Sequence, residues 1–143
     1  VIKYVGEKIP ELSEIDEEID CSGKVIIPGF INTHHHFYQT LTRVIPQVQD
    51  AKLFDWLKYL YEIWRQLTPE AVYISAKVAI GELLLTGCTT STDHLYLFPD
   101  RVDSNLIDYE IQAAQELGTK GFLVASAVVK AENQRESLLN LIL

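Results

Sequence analysis

The spacing of apolar and polar positions changes character along the chain. In the first thirty residues the apolar positions form short β-branched runs. Residues 1–5, V-I-K-Y-V, predict a strand closed by a turn at Gly6, and Lys24–Ile27 predicts a second. The stretch from Ile9 to Asp20 reads as a loop with a polar hairpin. Pro28-Gly29 interrupts the second run, since proline cannot donate to a ladder, and Phe30-Ile31-Asn32 resumes as a short strand. From Leu53 the period becomes helical: Leu53, Trp56, Leu57, Leu60, Ile63, Trp64 and Leu67 recur on one face. Thr68-Pro69-Glu70 predicts a new helix, with threonine as its cap and proline at its first position. That helix should run to Leu85 and stop near Gly87. Cys88–Thr92 is short and β-branched, and Asp93-His94 follows at its end. Asp103–Leu117 reads as a helix ended by Gly118, Phe122–Val129 as a third strand, and residues 132–143 as the start of another helix.

From residue 30 onward the predicted order is strand, helices, strand, helix, strand. Strands alternating with helices imply parallel β/α units. Polar residues gather at the C-terminal ends of the first two strands, where β/α barrels place their active sites. About three strands of such a barrel are present. An open parallel sheet satisfies the same pattern, so periodicity alone leaves both architectures standing. No internal repeat or low-complexity stretch occurs.

Composition narrows the function more than the fold. Apolar residues make up 48% and charged residues 22%, as in a soluble globular domain. No apolar run reaches the roughly 18–20 residues of a membrane span, and no basic, apolar and small-residue leader is read at the N-terminus. Twelve basic against twenty acidic residues give a net charge of −8, which repels phosphate backbones and disfavours nucleic acid as a partner. The early acids, Glu11, Glu14, Asp16, Glu17, Glu18 and Asp20, read as a solvated loop or strand edge. Cys21 and Cys88 stand in no paired-cysteine motif, so two free thiols in a reducing cytoplasm are expected. The chain contains no methionine, even at position 1, which suggests a processed chain or a fragment.

The candidate chemistry lies at Thr33-His34-His35-His36. On extended backbone, residues i and i+2 point to the same side. His34 and His36 can then reach one cation while His35 faces away. Neutral imidazole suits zinc and ferrous iron. A plainer reading is a histidine-rich strand end paired with carboxylates. Three of the four histidines gather here, directly after P-G-F-I-N, and that favours the metal.

Pro28 to Arg43, P-G-F-I-N-T-H-H-H-F-Y-Q-T-L-T-R, resembles the first barrel strand of the amidohydrolase superfamily. Within it, the likeness is to the branch of 8-oxoguanine deaminase and hydroxydechloroatrazine ethylaminohydrolase. It continues through Asp50–Leu57, Leu67–Glu70 and G-C-T-T-S-T-D-H-L-Y-L-F-P at Gly87–Pro99, and covers roughly residues 21–120. The resemblance implies a (β/α)8 TIM barrel with one divalent metal, zinc or else iron, and a small β-sandwich built from both chain ends. Residues 1–28 would belong to that sandwich and 29–143 to an incomplete barrel. His34 and His36 would be the first two metal ligands, Gln39 would touch the substrate ring, and His94 would line the pocket or support the ligands. Asp93-His94 also reads as a cap-and-turn pair. Phe37 and Tyr38 read as pocket wall or core, with core favoured. Trp56, Tyr59, Tyr61, Trp64 and Tyr73 read as helix packing.

The implied activity is hydrolysis of a C–N bond, deaminating a purine-like or s-triazine ring amine with water. The remaining ligands and the proton-shuttling glutamate belong to later strands. A second reading is therefore an inactive piece with only a two-histidine metal remnant, and a third is an amidohydrolase with another leaving group. The zinc deaminases of the cytidine type need H-x-E with P-C-x-x-C, and neither motif occurs. After Lys120 the likeness fades, and residues 121–143 are read as an aberrant, frame-shifted tail. An incomplete barrel leaves strand edges and apolar faces uncovered, so marginal stability or self-association into a homo-oligomer is expected.

Overall fold

The computed structural model describes residues 2, 4–7, 15–102 and 105–118, and the backbone of 122–125. Three strands form one parallel sheet in the order β1 (Phe30–Asn32), β2 (Cys88–His94), β3 (Phe122–Ala125). Phe30 pairs with Cys88 and Asn32 with Ser91, and β2 continues into β3 from Ser91↔Phe122 to His94↔Ala125. Sequential neighbours that run parallel need crossovers. These are the helices α1 (Leu53–Trp64) and α2 (Pro69–Leu85) before β2, and α3 (Leu106–Glu116) before β3.

Local chemistry sets the helix ends. The Thr68 hydroxyl accepts the Ala71 amide at 3.1 Å, with Pro69 at the first helical position. The Asn105 side chain accepts the Ile107 amide at 3.3 Å and starts α3. Gly87 and Gly118 leave their helices with φ of +82° and +72°, a conformation that costs glycine nothing. Asp55 lies in the first turn of α1, where its negative charge complements the positive end of the helix dipole.

Packing follows from which faces are small and which are large. On α2 the buried face is Val72, Ser75, Ala76, Ala79 and Ile80. Its small residues let α3 and a 3-10 turn at Phe37–Thr42 approach closely. Two buried clusters result. One joins Tyr38, Leu60, Trp64, Val72, Leu95, Leu97 and Leu106; the other joins Phe37, Ala76, Ala79, Ile80, Ala113 and Ala114. The consecutive rings Phe37 and Tyr38 therefore serve one cluster each. Trp64 is fully buried, stacks edge-on against Tyr38 at 5.3 Å, and donates its indole N–H to Thr42 Oγ1 at 3.0 Å. Burying a side chain of that kind is worth about 1.5–3 kcal/mol. Trp56 and Tyr61 pack on the same cluster, Tyr73 on the other, and Tyr59 is largely exposed.

The N-terminal expectations fare differently. Lys24–Ile27 joins no ladder, with Val25, Ile26 and Ile27 exposed, and so is not a strand. The described members of residues 1–5, Ile2, Tyr4 and Val5, are likewise exposed and outside any ladder. β-branched runs favour extended backbone, but a strand exists only when a partner takes its N–H and C=O groups. Among the described residues no partner is supplied. Asp20 instead organises a turn, accepting the Ser22 amide and hydroxyl at 2.9 and 2.6 Å. Further boundaries shift, and α3 begins at Leu106 rather than at Asp103. β2 runs on through Asp93 and His94, and the loop after the histidines is a 3-10 turn. The expected positions 9–14, 103–104, 126–129 and 132–143 lie outside the described residues.

Candidate metal and substrate site

β1 ends at Asn32, and the histidines follow it outside any regular element. Parallel pairing nevertheless continues there. The His94 amide donates to the His35 carbonyl at 2.9 Å, and His36 Nδ1–H donates to the His94 carbonyl at 2.9 Å. These reciprocal bonds clamp the end of β2 to the histidine segment. They also leave the Nε2 lone pair of His36 available for a ligand.

The rings of His34 and His36 lie side by side, with centroids 5.0 Å apart and planes perpendicular. His35 instead packs its ring on Phe37 at 4.9 Å. The alternation read from i and i+2 thus holds although the segment lies past the strand proper. Burial and then the neighbouring His36 hold the His35 imidazole below its usual pKa, so it stays neutral. His94 joins the first pair, 5.0 Å from His34 and 5.8 Å from His36 by ring centroids. Tyr96 stands edge-on to His36 at 5.3 Å and forms one wall. The cluster is half-open, with His34 exposed and His36 and His94 partly buried.

The donor chemistry suits a divalent cation as far as it goes. Two imidazoles share one side, and one has its Nδ1 engaged by a backbone carbonyl. Among the described residues no group of three metal-type donors converges on a single point. The hollow between α2 and α3, lined by Thr68, Tyr73, Tyr109 and Gln112 among others, includes none of the histidines.

Gln39 sits in the 3-10 turn, where its amide nitrogen donates to the Tyr38 hydroxyl at 3.1 Å. Its side-chain oxygen leaves an acceptor for another group. Tyr38 is fully buried, and burial followed by the nearby Tyr96 raises its hydroxyl pKa, so it remains a neutral donor. Both Phe37 and Tyr38 are core.

Asp93 does what neither sequence reading anticipated. It is fully buried within β2 rather than capping a turn, and its Oδ1 accepts the Phe37 amide at 2.6 Å. Glu110 on α3, also fully buried, lies close enough to Asp93 for the two carboxyl groups to act on each other. Sequence reasoning missed Glu110, although it left a signal. Leu106, Glu110, Ala113 and Ala114 form the buried stripe of α3, and one acid interrupts it.

Parallel β/α units with an imidazole cluster at the C-terminal ends of the first two strands define the class of protein. The chain belongs to the amidohydrolase family, which its residues 25–139 match. That match runs on past Lys120, where the motif likeness fades. The chain is 47% identical to 8-oxoguanine deaminase of Pseudomonas aeruginosa over 132 residues, covering 92% of this chain and 29% of that protein. It is 35% identical to hydroxydechloroatrazine ethylaminohydrolase of Pseudomonas sp. strain ADP, covering 73% and 22%. Among solved structures, atrazine chlorohydrolase of Arthrobacter aurescens TC1, complexed with zinc, superposes with a TM-score of 0.64 at 33% identity, covering 69% of this chain and 23% of that one. The chain thus spans less than a third of the length of these relatives. Among the described residues no helix is long and apolar enough to cross a membrane.

Proposed function

We propose that this chain is the opening of a (β/α)8 metal-dependent hydrolase that deaminates a purine-like or s-triazine ring amine. Residues 1–28 would feed a small β-sandwich and 29–143 the barrel, in a cytoplasmic enzyme. The observation that carries this reading is the His34–His36 pair, ring beside ring, with His36 anchored through Nδ1 to the His94 carbonyl. The names of the relatives support hydrolysis at a heterocyclic ring, and 8-oxoguanine is the substrate class most worth testing.

A divalent metal, zinc in the first instance, would supply a nucleophile from water at neutral pH. His34 and His36 would hold it through their free ring nitrogens. The His94 carbonyl would keep His36 in the tautomer that offers Nε2. Gln39 offers an acceptor and a donor to a ring edge once it turns from Tyr38. The His94 ring, next to both ligands, would contact the substrate. The acid/base glutamate and the remaining ligands would come from later strands. On this reading the 143 residues alone bind metal weakly and do not turn over.

Cobalt(II) is a spectroscopic probe for such a site. Titrating the 143-residue chain should give one saturating visible band that H34A or H36A removes. Equal binding by both variants and the wild type would refute the assignment. Chelator-sensitive release of ammonia from 8-oxoguanine by the isolated monomer would refute the inactivity.

A further inference from the structure

Asp93 and Glu110 are the most deeply buried acids described, both fully inaccessible to solvent. They come from different layers, β2 and α3. Among the described residues no N–H or O–H donor reaches Asp93 Oδ2 or either Glu110 oxygen. Two carboxyl groups in contact can bond only with a proton between them, because two buried charges repel strongly at low dielectric. Geometry says which acid keeps the charge. Asp93 already accepts a short bond from the Phe37 amide, and a charged acceptor strengthens that bond. Glu110 has no such donor. Burial first, and then the Asp93 charge, push the Glu110 carboxyl up to about 10, so it is the neutral partner that donates.

Phe37 is the residue after His36. Its amide therefore fixes where the histidine segment turns into the 3-10 helix, whose cap is His36 itself. Three constraints now meet on three consecutive residues, His35, His36 and Phe37: Asp93 on the Phe37 amide, the His94 amide on the His35 carbonyl, and His36 Nδ1–H on the His94 carbonyl. All three run from the end of β2. Glu110 is the α3 group that acts on Asp93.

We propose that Glu110 is a positioning residue, acting through Asp93 and the Phe37 amide to hold His34 and His36 in the geometry that binds a divalent cation. The part concerning the cation rests on the metal-site reading above, whereas the part concerning the Phe37 backbone does not.

The test uses the 143-residue chain with E110Q and E110L. Glutamine keeps a donor toward Asp93; leucine fills similar volume without one. Two readouts are taken: the Phe37 backbone amide resonance without metal, and cobalt(II) affinity from the visible band. E110Q should match the wild type in both. E110L should move the Phe37 resonance and weaken cobalt binding about ten- to a hundredfold, the usual cost of losing an outer partner of a metal ligand. A space-filling role predicts the opposite ranking. The proposal is overturned if E110L matches the wild type, or if E110Q is as impaired as E110L. Should E110L not fold, D93N decides: a neutral acceptor must shift the Phe37 resonance and lower the affinity, and unchanged values overturn the idea. If the wild type takes up no cobalt, the metal reading falls, and the Phe37 resonance alone settles whether Glu110 positions the segment.

Discussion

The two sides of β1 are built from similar material and end up in opposite environments. Before and within the strand, Val25, Ile26, Ile27, Phe30 and Ile31 are apolar and exposed, between 56% and 87%. Just after it, Phe37 and Tyr38 are at most 1% exposed. Hydrophobicity does not separate the two. The difference is whether the chain itself supplies the partner. Downstream of the strand, α1, α2, α3 and β2 all arrive within the next eighty residues and close over the aromatic pair. Upstream, no described element covers the apolar run. A site residue can therefore be well placed while its neighbours a few positions earlier are not.

Three measurements break or sharpen that contrast. The largest effect is expected from W64A, which removes the ring that Tyr38, Trp56 and Tyr61 all pack against. Large-to-small changes of this kind cost about 3–5 kcal/mol. Urea unfolding of the variant should show the covered side losing its order and becoming like the uncovered one. A loss below about 1 kcal/mol would mean that the aromatic cluster is not the anchor.

A smaller effect concerns pH. The Glu110 carboxyl sits at about 10 in the fold against an ordinary 4.5, because burial and Asp93 both oppose its ionisation. Between those values the folded chain holds a proton that the unfolded chain has released. The stability this confers is complete below about 4.5 and is lost as pH rises through about 10. Burial also raises Asp93, which acts in the same direction. E110Q cannot ionise, so its urea midpoint should fall less steeply than that of the wild type between pH 5 and pH 9. Parallel pH profiles for the two proteins would contradict the proton-sharing pair.

The least change in stability is expected on the uncovered side. Substituting Ile27→Lys together with Ile31→Lys alters residues 59% and 69% exposed, so the fold should shift by no more than about 0.5 kcal/mol. Its effect should appear in association. Apolar patches and open edges promote self-contact, and two charges there oppose it. Sedimentation velocity should show the wild type forming larger species with concentration and the double variant remaining a monomer. A wild type that stays monomeric at high concentration would show that this face is not adhesive.

Local residues determined a good deal of this protein on their own. Thr68-Pro69 starts α2, Gly87 and Gly118 end their helices, and the alternation at His34-His35-His36 places two rings together and one apart, because each depends on backbone rules a few residues long. The family, too, was legible in contiguous motifs. Tertiary structure decided the rest. Lys24–Ile27 has strand propensity and no strand, since a ladder needs a second chain segment. Asp93 looked like a turn residue and became a buried acceptor for Phe37, fifty-six positions away. Glu110 was one acid on an apolar helical stripe, and only the fold brought it within reach of Asp93. Short-range patterns set where elements begin and which way side chains alternate. Contacts between distant segments set which charges are buried, because burial depends on what the rest of the chain brings alongside.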